Sequence, residues 1–344
     1  MIDEVTILST INRIAKANNF KIGEKIHEGV YYSSDNVRNI SVGGCWGGRP
    51  AVLKYWNDPR MRDDAAAQVD YFNHNKSNVL LVPEIYIYER LSVNEGWVIM
   101  EKLPEGNLLE SPLSEDGRKQ FLTLFSEYIN TSENIKQPCR PLCLVETFSA
   151  YDFHRHRIDR WVELANKTEM ELTIKGEKPV LDFKQFNSYF ENGMKLLRYF
   201  YENQQMVWCP HSLVRPNKIF KTNESKYYLF DFCRAGMRPQ GYELAAIIWG
   251  DWIMAADWRM SYTIWKEGII GWISCLRDIE KKLNVGIESF GGTFSRLIKA
   301  ALIERVLGTI LADVCANKDM SHEEKKERLR LLYKLLDDFY LIYN

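Results

Sequence analysis

Residues 206–235 read MVWCPHSLVRPNKIFKTNESKYYLFDFCRA, and this stretch carries the strongest structural signal in the chain. A polar loop from His211 to Lys218 leads into the apolar pair Ile219-Phe220. A polar turn follows, and a second apolar run ends at Asp231. Two short strands joined by a polar turn predict a β-hairpin, which brings the loop and Asp231 to the same end. That end is where the sequence predicts a functional site.

This stretch resembles the catalytic segment of the protein-kinase-like fold, in its aminoglycoside phosphotransferase and choline kinase branch. That branch carries an H-G-D-x-x-x-x-N loop, a hairpin, and an Asp that opens a D-F-G-like element. On this alignment His211 matches the loop His, and Asp231 matches the metal-binding Asp. Leu213 stands where the catalytic Asp belongs, and Lys218 stands where the metal-binding Asn belongs. The resemblance therefore implies a kinase-like fold with a degenerate catalytic loop.

The departures at Leu213 and Lys218 have chemical consequences. In the family the loop Asp accepts the proton of the substrate hydroxyl, while the Asn and the second Asp hold magnesium. Leucine cannot accept a proton, and an ammonium group at the metal position repels a divalent cation. Lys218 can instead neutralise phosphate charge directly. The resemblance therefore implies binding of ATP or a related nucleotide, argues against magnesium, and leaves Asp231 as the remaining metal ligand.

A second signal lies at Ala51-Val52-Leu53-Lys54, an apolar strand that closes on a lysine. It resembles the V-A-I-K strand of kinases, which implies that Lys54 reaches the phosphates of ATP. The following helix, predicted over residues 63–74, should supply the residue that orients this lysine. Its candidates are Gln68, at the position of the family's Glu, and Asp70. An amide can hydrogen-bond Lys54 but cannot neutralise it.

The first hundred residues carry strand periodicity behind a lead-in helix predicted over residues 1–18. Gly43-Gly44 and Gly47-Gly48 fit either turns and bulges or a backbone that approaches a phosphate. The lack of a G-x-G-x-x-G pattern favours the turns and bulges. The chain therefore predicts a five-stranded antiparallel sheet with one helix after the third strand. The predicted strands cover residues 20–26, 38–46, 50–56, 80–88 and 97–100.

The periodicity changes near residue 103. Met100-Glu101 and Leu103 resemble the hinge whose backbone meets adenine, and the Pro and Gly that follow end regular structure. Beyond them apolar residues recur at three- and four-residue intervals, which predicts helices. The predicted fold class is therefore α+β and bilobal. Residues 1–103 form a small antiparallel β-sheet lobe, and residues 104–344 form a large, mainly helical lobe with the degenerate loop.

Composition limits the class of protein. The 344 residues are 46% hydrophobic and carry a net charge of −1, so no overall field favours nucleic acid or a membrane surface. No apolar run approaches the roughly 20 residues that cross a bilayer. Seven cysteines without a CxxC pair indicate reduced thiols, and Cys209, His211 and Cys233 lack a fourth ligand for zinc. We therefore expect a cytoplasmic protein with no nucleic-acid or membrane partner.

Two functions remain open at this point. The first is a pseudokinase, which binds a nucleotide, another small-molecule ligand or a partner protein without efficient phosphoryl transfer. The second is an ATP-dependent phosphotransferase that acts on a hydroxyl group, with Asp251 or Asp257 as its base. A one-residue shift of the loop would bring Asn217 to the metal position, but it would spoil the fit of Ile219-Phe220. The degenerate loop favours the pseudokinase.

Overall fold

The computed structural model of the protein describes most of the chain. The described residues are 4–31, 34–110, 115–136, 150–211, 214–233, 235–254, 259–283, 294–317 and 319–342. Antiparallel strands dominate the first third of the chain, and helices dominate the remainder. This mixed architecture confirms the predicted α+β fold class.

Strands and helices follow one another in the predicted order. The strands are β1 (Lys21–Tyr31), β2 (Ser34–Trp46), β3 (Arg49–Asn57), β4 (Leu80–Leu81), β5 (Ile85–Arg90), β6 (Glu95–Glu101), β7 (Gly106–Leu108), β8 (Met206–Cys209), β9 (Ile219–Thr222), β10 (Tyr227–Leu229) and β11 (Gly236–Pro239). The helices are α1 (Glu4–Ala17), α2 (Asp64–His74), α3 (Glu115–Glu133), α4 (Ala150–Ile174), α5 (Phe183–Asn203), α6 (Tyr242–Ile248), α7 (Tyr262–Leu283), α8 (Phe294–Gly308) and α9 (His322–Ile342). The π-helical segments Trp249–Met254 and Thr309–Cys315 continue α6 and α8.

The main sheet has five strands in the order β1-β2-β3-β6-β5, and all of its pairings are antiparallel, as predicted. The strand predicted over residues 80–88 is divided between two sheets. β5 joins the main sheet, whereas β4 pairs in parallel with β10 in a second, four-stranded sheet. Pro83 lies between β4 and β5 and has no N–H to donate to a strand ladder, which accounts for the break.

The two faces of the main sheet have different partners because side chains alternate along a strand. Ala51, Leu53 and Tyr55 of β3 pack in one buried cluster with Ile7 and Ile11 of α1. The alternate residues of β3 lie on the opposite face, toward α2 and the end of the hairpin. The second face therefore carries the candidate site, and α1 covers the first.

The two glycine pairs form a turn and a bulge. Gly47 and Gly48 have φ angles of +57° and +81° and make the two-residue turn between β2 and β3. Gly44 pairs with Ile22 beside a register shift between β1 and β2, and a Cβ on it would overlap the carbonyl oxygen of Lys21. This confirms the interpretation of the glycines as residues of a turn and a bulge in the sheet.

The hairpin predicted from residues 206–235 is present. Phe220 of β9 pairs with Tyr228 of β10. β8, before the hairpin, pairs with β11, after it, and Ile219 and Leu229 of the hairpin belong to the apolar core that the helices share. The boundary near residue 103 stays a prediction: β6 ends at Glu101 in the main sheet, and β7 begins at Gly106 in the second sheet. Among the described residues, no helix combines the length and apolarity that a membrane crossing requires.

Candidate functional site

A row of side chains crosses the main sheet on the face opposite α1. His27 of β1 pairs with Ser41 of β2, Ser41 pairs with Lys54 of β3, and Lys54 pairs with Val98 of β6. Residues paired directly across antiparallel strands point to the same face. The buried cluster on this face includes Val98, and Cys233 from the chain after the hairpin packs against it. The row therefore meets the end of the hairpin that carries Asp231.

Lys54 is held by a buried carboxylate. Its Nζ donates to Oδ2 of Asp64 at 2.6 Å, and the two side chains are 12% and 6% exposed. Burial alone would lower the pKa of Lys54, but the carboxylates of Asp64 and Asp231 outweigh it and hold this pKa above its usual value. The lysine is therefore charged and fixed in direction. Oδ1 of Asp64 is buried and accepts no hydrogen bond from the described part of the chain.

The prediction that Gln68 or Asp70 orients Lys54 is wrong. Gln68 is buried and donates from Nε2 to the carbonyl oxygen of Pro83 at 2.8 Å. Asp64 lies one turn earlier on the same helix face, because residues four apart in a helix are stacked above one another. Lys54 therefore keeps a carboxylate partner, and this expected defect of the site does not exist.

Lys218 contacts Asp231 directly. It ends the 3₁₀ turn Pro216–Lys218, and its Nζ donates to Oδ2 of Asp231, with side chains 19% and 21% exposed. Burial would raise the pKa of Asp231, but the charges of Lys218 and Lys54 hold it well below its usual range. Asp231 has a φ of +66°, a left-handed conformation that Asp tolerates better than most residues. Its carboxylate is thus ionised and engaged by an ammonium group.

The loop keeps the register of the alignment without a shift. Ile219 is fully buried, whereas Asn217 is exposed. A shift that moved Asn217 to Asp231 would turn Lys218 outward and displace Ile219 from the core. The side chain placed against Asp231 is therefore a lysine and not an amide.

His211 joins the loop to the chain beside Asp231. The side chain is fully buried, and its Nε2 donates to the carbonyl oxygen of Phe230 at 3.0 Å. The Tyr128 hydroxyl accepts from the backbone N–H of His211 and donates to its carbonyl oxygen, at 3.2 and 3.0 Å. The imidazole also packs edge-on against Phe232. Burial lowers the pKa of His211 to about 4, so it is a neutral structural residue.

The buried imidazole predicts a specific loss of stability in acid. The unfolded chain protonates His211 near pH 6.5 and the folded chain only near pH 4, so its contribution is complete above pH 6.5 and declines between these values. The loss reaches about 3 kcal/mol at pH 4. We expect His211→Asn to flatten the pH dependence of the free energy of unfolding, measured in urea. His322→Asn at the start of α9 is the control, and an equal change in both variants would contradict the assignment.

The carboxylates near the expected magnesium position are engaged by lysines. The cation prefers several oxygen ligands in octahedral geometry, whereas Oδ2 of Asp231 and Oδ2 of Asp64 each accept from a lysine nitrogen. No group of three or more His, Cys, Asp or Glu side chains positioned for a metal occurs in the described residues. Cys209 contacts Glu243, with 3.6 Å between Sγ and Oε2, so the zinc interpretation gains no support either.

Of the two alternative catalytic bases, only Asp251 belongs to the described residues. Leu213 and Asp257 lie outside the described residues. Asp251 is buried, and its Oδ2 accepts a hydrogen bond from Nε1 of Trp272 at 2.5 Å. This contact places Asp251 within the apolar core of the helical region, where it supports packing.

The predicted hinge connects the main sheet to the rest of the chain. Met100 packs against the buried cluster that contains Val98, on the face of the main sheet that carries Lys54. The region formed by the Lys54–Asp64 and Lys218–Asp231 pairs is called the cleft below. The N–H of Glu101 donates to the carbonyl oxygen of Glu84 at 2.8 Å, and the Glu101 carboxylate accepts from the N–H of Glu84. Contacts of Met100, Glu101 and Leu103 with adenine stay predictions.

No family model matches the sequence, and no curated protein matches it either. Solved structures do match over nearly the whole chain. A thermostable variant of aminoglycoside phosphotransferase APH(4)-Ia, in a ternary complex with ADP and hygromycin B, has a TM-score of 0.53, 14% identity, and 94% and 98% coverage of this and that chain. Plasmodium vivax ethanolamine kinase has a TM-score of 0.59 at 14% identity, with 98% and 92% coverage. Aminoglycoside 2'-phosphotransferase-IIIa, as its GDP complex, has a TM-score of 0.53 at 13% identity, with 96% and 98% coverage. These likenesses confirm the kinase-like fold of the aminoglycoside phosphotransferase and choline kinase branch.

Proposed function

We propose that this protein, whose fold is the kinase-like fold of aminoglycoside phosphotransferases and ethanolamine kinase, is a pseudokinase that binds ATP or a related nucleotide without magnesium. The observation that carries the proposal is the contact of Lys218 with Asp231. In active kinases the corresponding Asp holds the metal that bridges the β- and γ-phosphates. Here a lysine of the same chain supplies positive charge at that position. A nucleotide bound there meets an ammonium group in place of a divalent cation.

The electrostatics of the cleft support a phosphate ligand. Lys54 and Lys218 face Asp64 and Asp231, so two positive and two negative charges balance when the cleft holds no ligand. An incoming phosphate competes for both lysines with carboxylates that already neutralise them. Affinity for ATP is therefore weaker than a metal-assisted site would give, and it does not depend on magnesium.

We infer the remaining nucleotide contacts by analogy with the fold. Lys54 meets the phosphates, and Met100, Glu101 and Leu103 form the segment that meets adenine. Gln68 is not among the contacts we propose, because its amide is bound to Pro83. Related proteins of this fold have been solved with ADP and with AMP-PNP, which supports a nucleotide in this cleft.

Phosphoryl transfer lacks a base in this arrangement. Leucine occupies position 213, where the alignment requires an acid, and Asp251 is engaged by Trp272. Loss of a positioned general base costs roughly a hundred- to ten-thousand-fold in rate. A phosphotransferase acting on a hydroxyl group would therefore need a base other than residue 213 and Asp251.

Binding of ATP in a metal chelator tests the proposal. We expect ATP with EDTA to raise the thermal unfolding midpoint of the wild type. The Lys54→Met/Asp64→Leu double variant removes the phosphate-binding lysine without leaving its partner unpaired, and it should lose this shift. Lys226→Met, on the exposed turn of the hairpin, is the control and should keep it. No shift in the wild type under any condition would overturn nucleotide binding and favour a partner-binding scaffold.

A further inference from the structure

Two arginines flank one indole ring in the helical region. The guanidinium carbon of Arg215 lies 5.0 Å from the ring centroid of Trp249, and that of Arg305 lies 5.1 Å from it. Arg305 also lies 5.4 Å from the ring of Tyr242. Cation–π contacts of this kind stabilise a guanidinium but offer its N–H groups no acceptor. Two positively charged side chains therefore contact the same aromatic ring.

Arg305 is an unusual buried cation. Its side chain is 1% exposed, and none of its three guanidinium nitrogens has a hydrogen-bond partner among the described residues. Its ion pair is with Oε2 of Glu304, 3.5 Å from Nε, and that oxygen accepts a shorter hydrogen bond of 2.7 Å from the Tyr242 hydroxyl. A buried charge is normally paired and hydrogen-bonded, because desolvation is costly. Arg305 is paired with Glu304 at the long distance of 3.5 Å, but it is not hydrogen-bonded.

Arg215 links this pair to the cleft. It precedes the turn that carries Lys218, and its backbone carbonyl oxygen accepts from the Lys218 N–H at 2.9 Å. The side chain is half-buried, and its Nε is buried without an acceptor among the described residues. Gly250 leaves room for it, since a Cβ at that position would overlap the Arg215 side chain. Burial lowers the pKa of Arg215, the carboxylates of Asp231 and Asp313 oppose this lowering, and the charge of Arg305 adds to it.

We propose that Arg215 and Arg305 bind a tetrahedral oxyanion, the phosphate group of a small phosphorylated ligand or free phosphate, beside Trp249. A guanidinium presents a planar fork of N–H donors that matches a phosphate. An anion between the two arginines would neutralise their repulsion and accept the hydrogen bonds that the protein leaves unmade. Arg215 forms the accessible side of the site. Arg305 joins by rotation of a side chain that no hydrogen bond restrains.

The proposed ligand is an anion, unlike the amines for which the structural neighbours are named. Those neighbours are named for aminoglycosides and ethanolamine, which carry amines. Two guanidiniums repel an ammonium group and favour an anion. The site lies beyond the proposed nucleotide function and does not depend on it, because the nucleotide phosphates are assigned to Lys54 and Lys218.

Thermal unfolding with simple anions tests the site. We expect sodium phosphate and glucose 6-phosphate to raise the unfolding midpoint relative to sodium chloride of equal ionic strength, and ethanolamine to leave it unchanged. Arg215→Gln should weaken the phosphate affinity about tenfold, as expected for loss of a charge-assisted contact. The Glu304→Gln/Arg305→Met double variant should remove the shift and leave the phosphate-free protein folded, because it removes both charges of the buried ion pair. Arg198→Gln, an exposed arginine of α5, is the control and should keep the full shift.

The same variants separate the two sites. Phosphate stabilisation that survives in Lys54→Met/Asp64→Leu but fails in Arg215→Gln supports the arginine site, even if ATP does not bind. Stabilisation that fails in Lys54→Met/Asp64→Leu and survives in Arg215→Gln places the anion in the nucleotide cleft and overturns the proposal. A response to glucose 6-phosphate alone identifies a phosphorylated organic ligand, whereas equal responses show that free phosphate suffices. An equal response to ethanolamine, or no response to either phosphate, also overturns it.

Discussion

Replacing Lys218 with Asn makes ATP binding depend on magnesium. The substitution removes the ammonium group from Asp231 and supplies an amide oxygen in its place, so two oxygen ligands become available to the cation. In a chelator the variant should bind ATP about tenfold more weakly than the wild type, because one charge-assisted contact with phosphate is lost. With magnesium it should recover at least this factor. Isothermal titration calorimetry measures both constants.

A neighbouring lysine provides the control for this experiment. Lys221 lies on the same hairpin, is exposed, and contacts the ring of Tyr227. Lys221→Asn should leave ATP affinity unchanged with or without magnesium. If Lys218→Asn behaved in the same way as this control, Lys218 would have no role in binding phosphate.

Removing Asp64 alone should be the most destabilising single change in the cleft. Asp64→Leu leaves the ammonium group of Lys54 buried without its 2.6 Å partner. Breaking a buried pair from one side typically costs about 3 to 5 kcal/mol, because the remaining charge is uncompensated. The nearby carboxylate of Asp231 is already engaged by Lys218 and offers limited relief. The free energy of unfolding, measured by urea denaturation, gives the loss.

The double variant separates charge from packing. Lys54→Met/Asp64→Leu replaces both partners with apolar side chains and should recover most of the lost stability. Glu202→Ala breaks the exposed pair with Arg198 and should leave the free energy of unfolding nearly unchanged. If the double variant is as unstable as Asp64→Leu, the loss comes from packing and the ion pair has little importance.

Much of the fold follows from local sequence patterns. Alternating apolar residues specify the strands of the main sheet, and Gly47-Gly48 specifies the turn between β2 and β3 because both residues adopt positive φ angles. The apolar and polar order of residues 206–235 specifies the hairpin. The division of residues 80–88 between two sheets follows from Pro83, whose effect on strand pairing depends on tertiary neighbours that the local pattern does not reveal.

The partner of Lys54 could not be read from the sequence. Asp64 and Gln68 lie on one face of α2, so the local pattern permits either to face the sheet. Only the position of the helix along the sheet brings Asp64 to Lys54 and Gln68 to Pro83. The sequence signal that points to Asp64 is its place in the acidic first turn of α2.

The arginine pair illustrates a second limit. Arg215 lies in the loop and Arg305 lies in α8, and no local motif connects them. Trp249 brings them together because it follows α6, which packs against α8. Contacts between residues so far apart in the chain depend on the packing of helices, which periodicity alone does not determine.

The most direct measurement is a calorimetric titration of the wild-type protein with ATP, first in EDTA and then in excess magnesium. We expect the same dissociation constant in both, within about a factor of two, because Lys218 occupies the position of the cation. Binding that tightens more than about tenfold with magnesium would show that the metal displaces the lysine. That result would contradict the pseudokinase assignment and favour an active phosphotransferase.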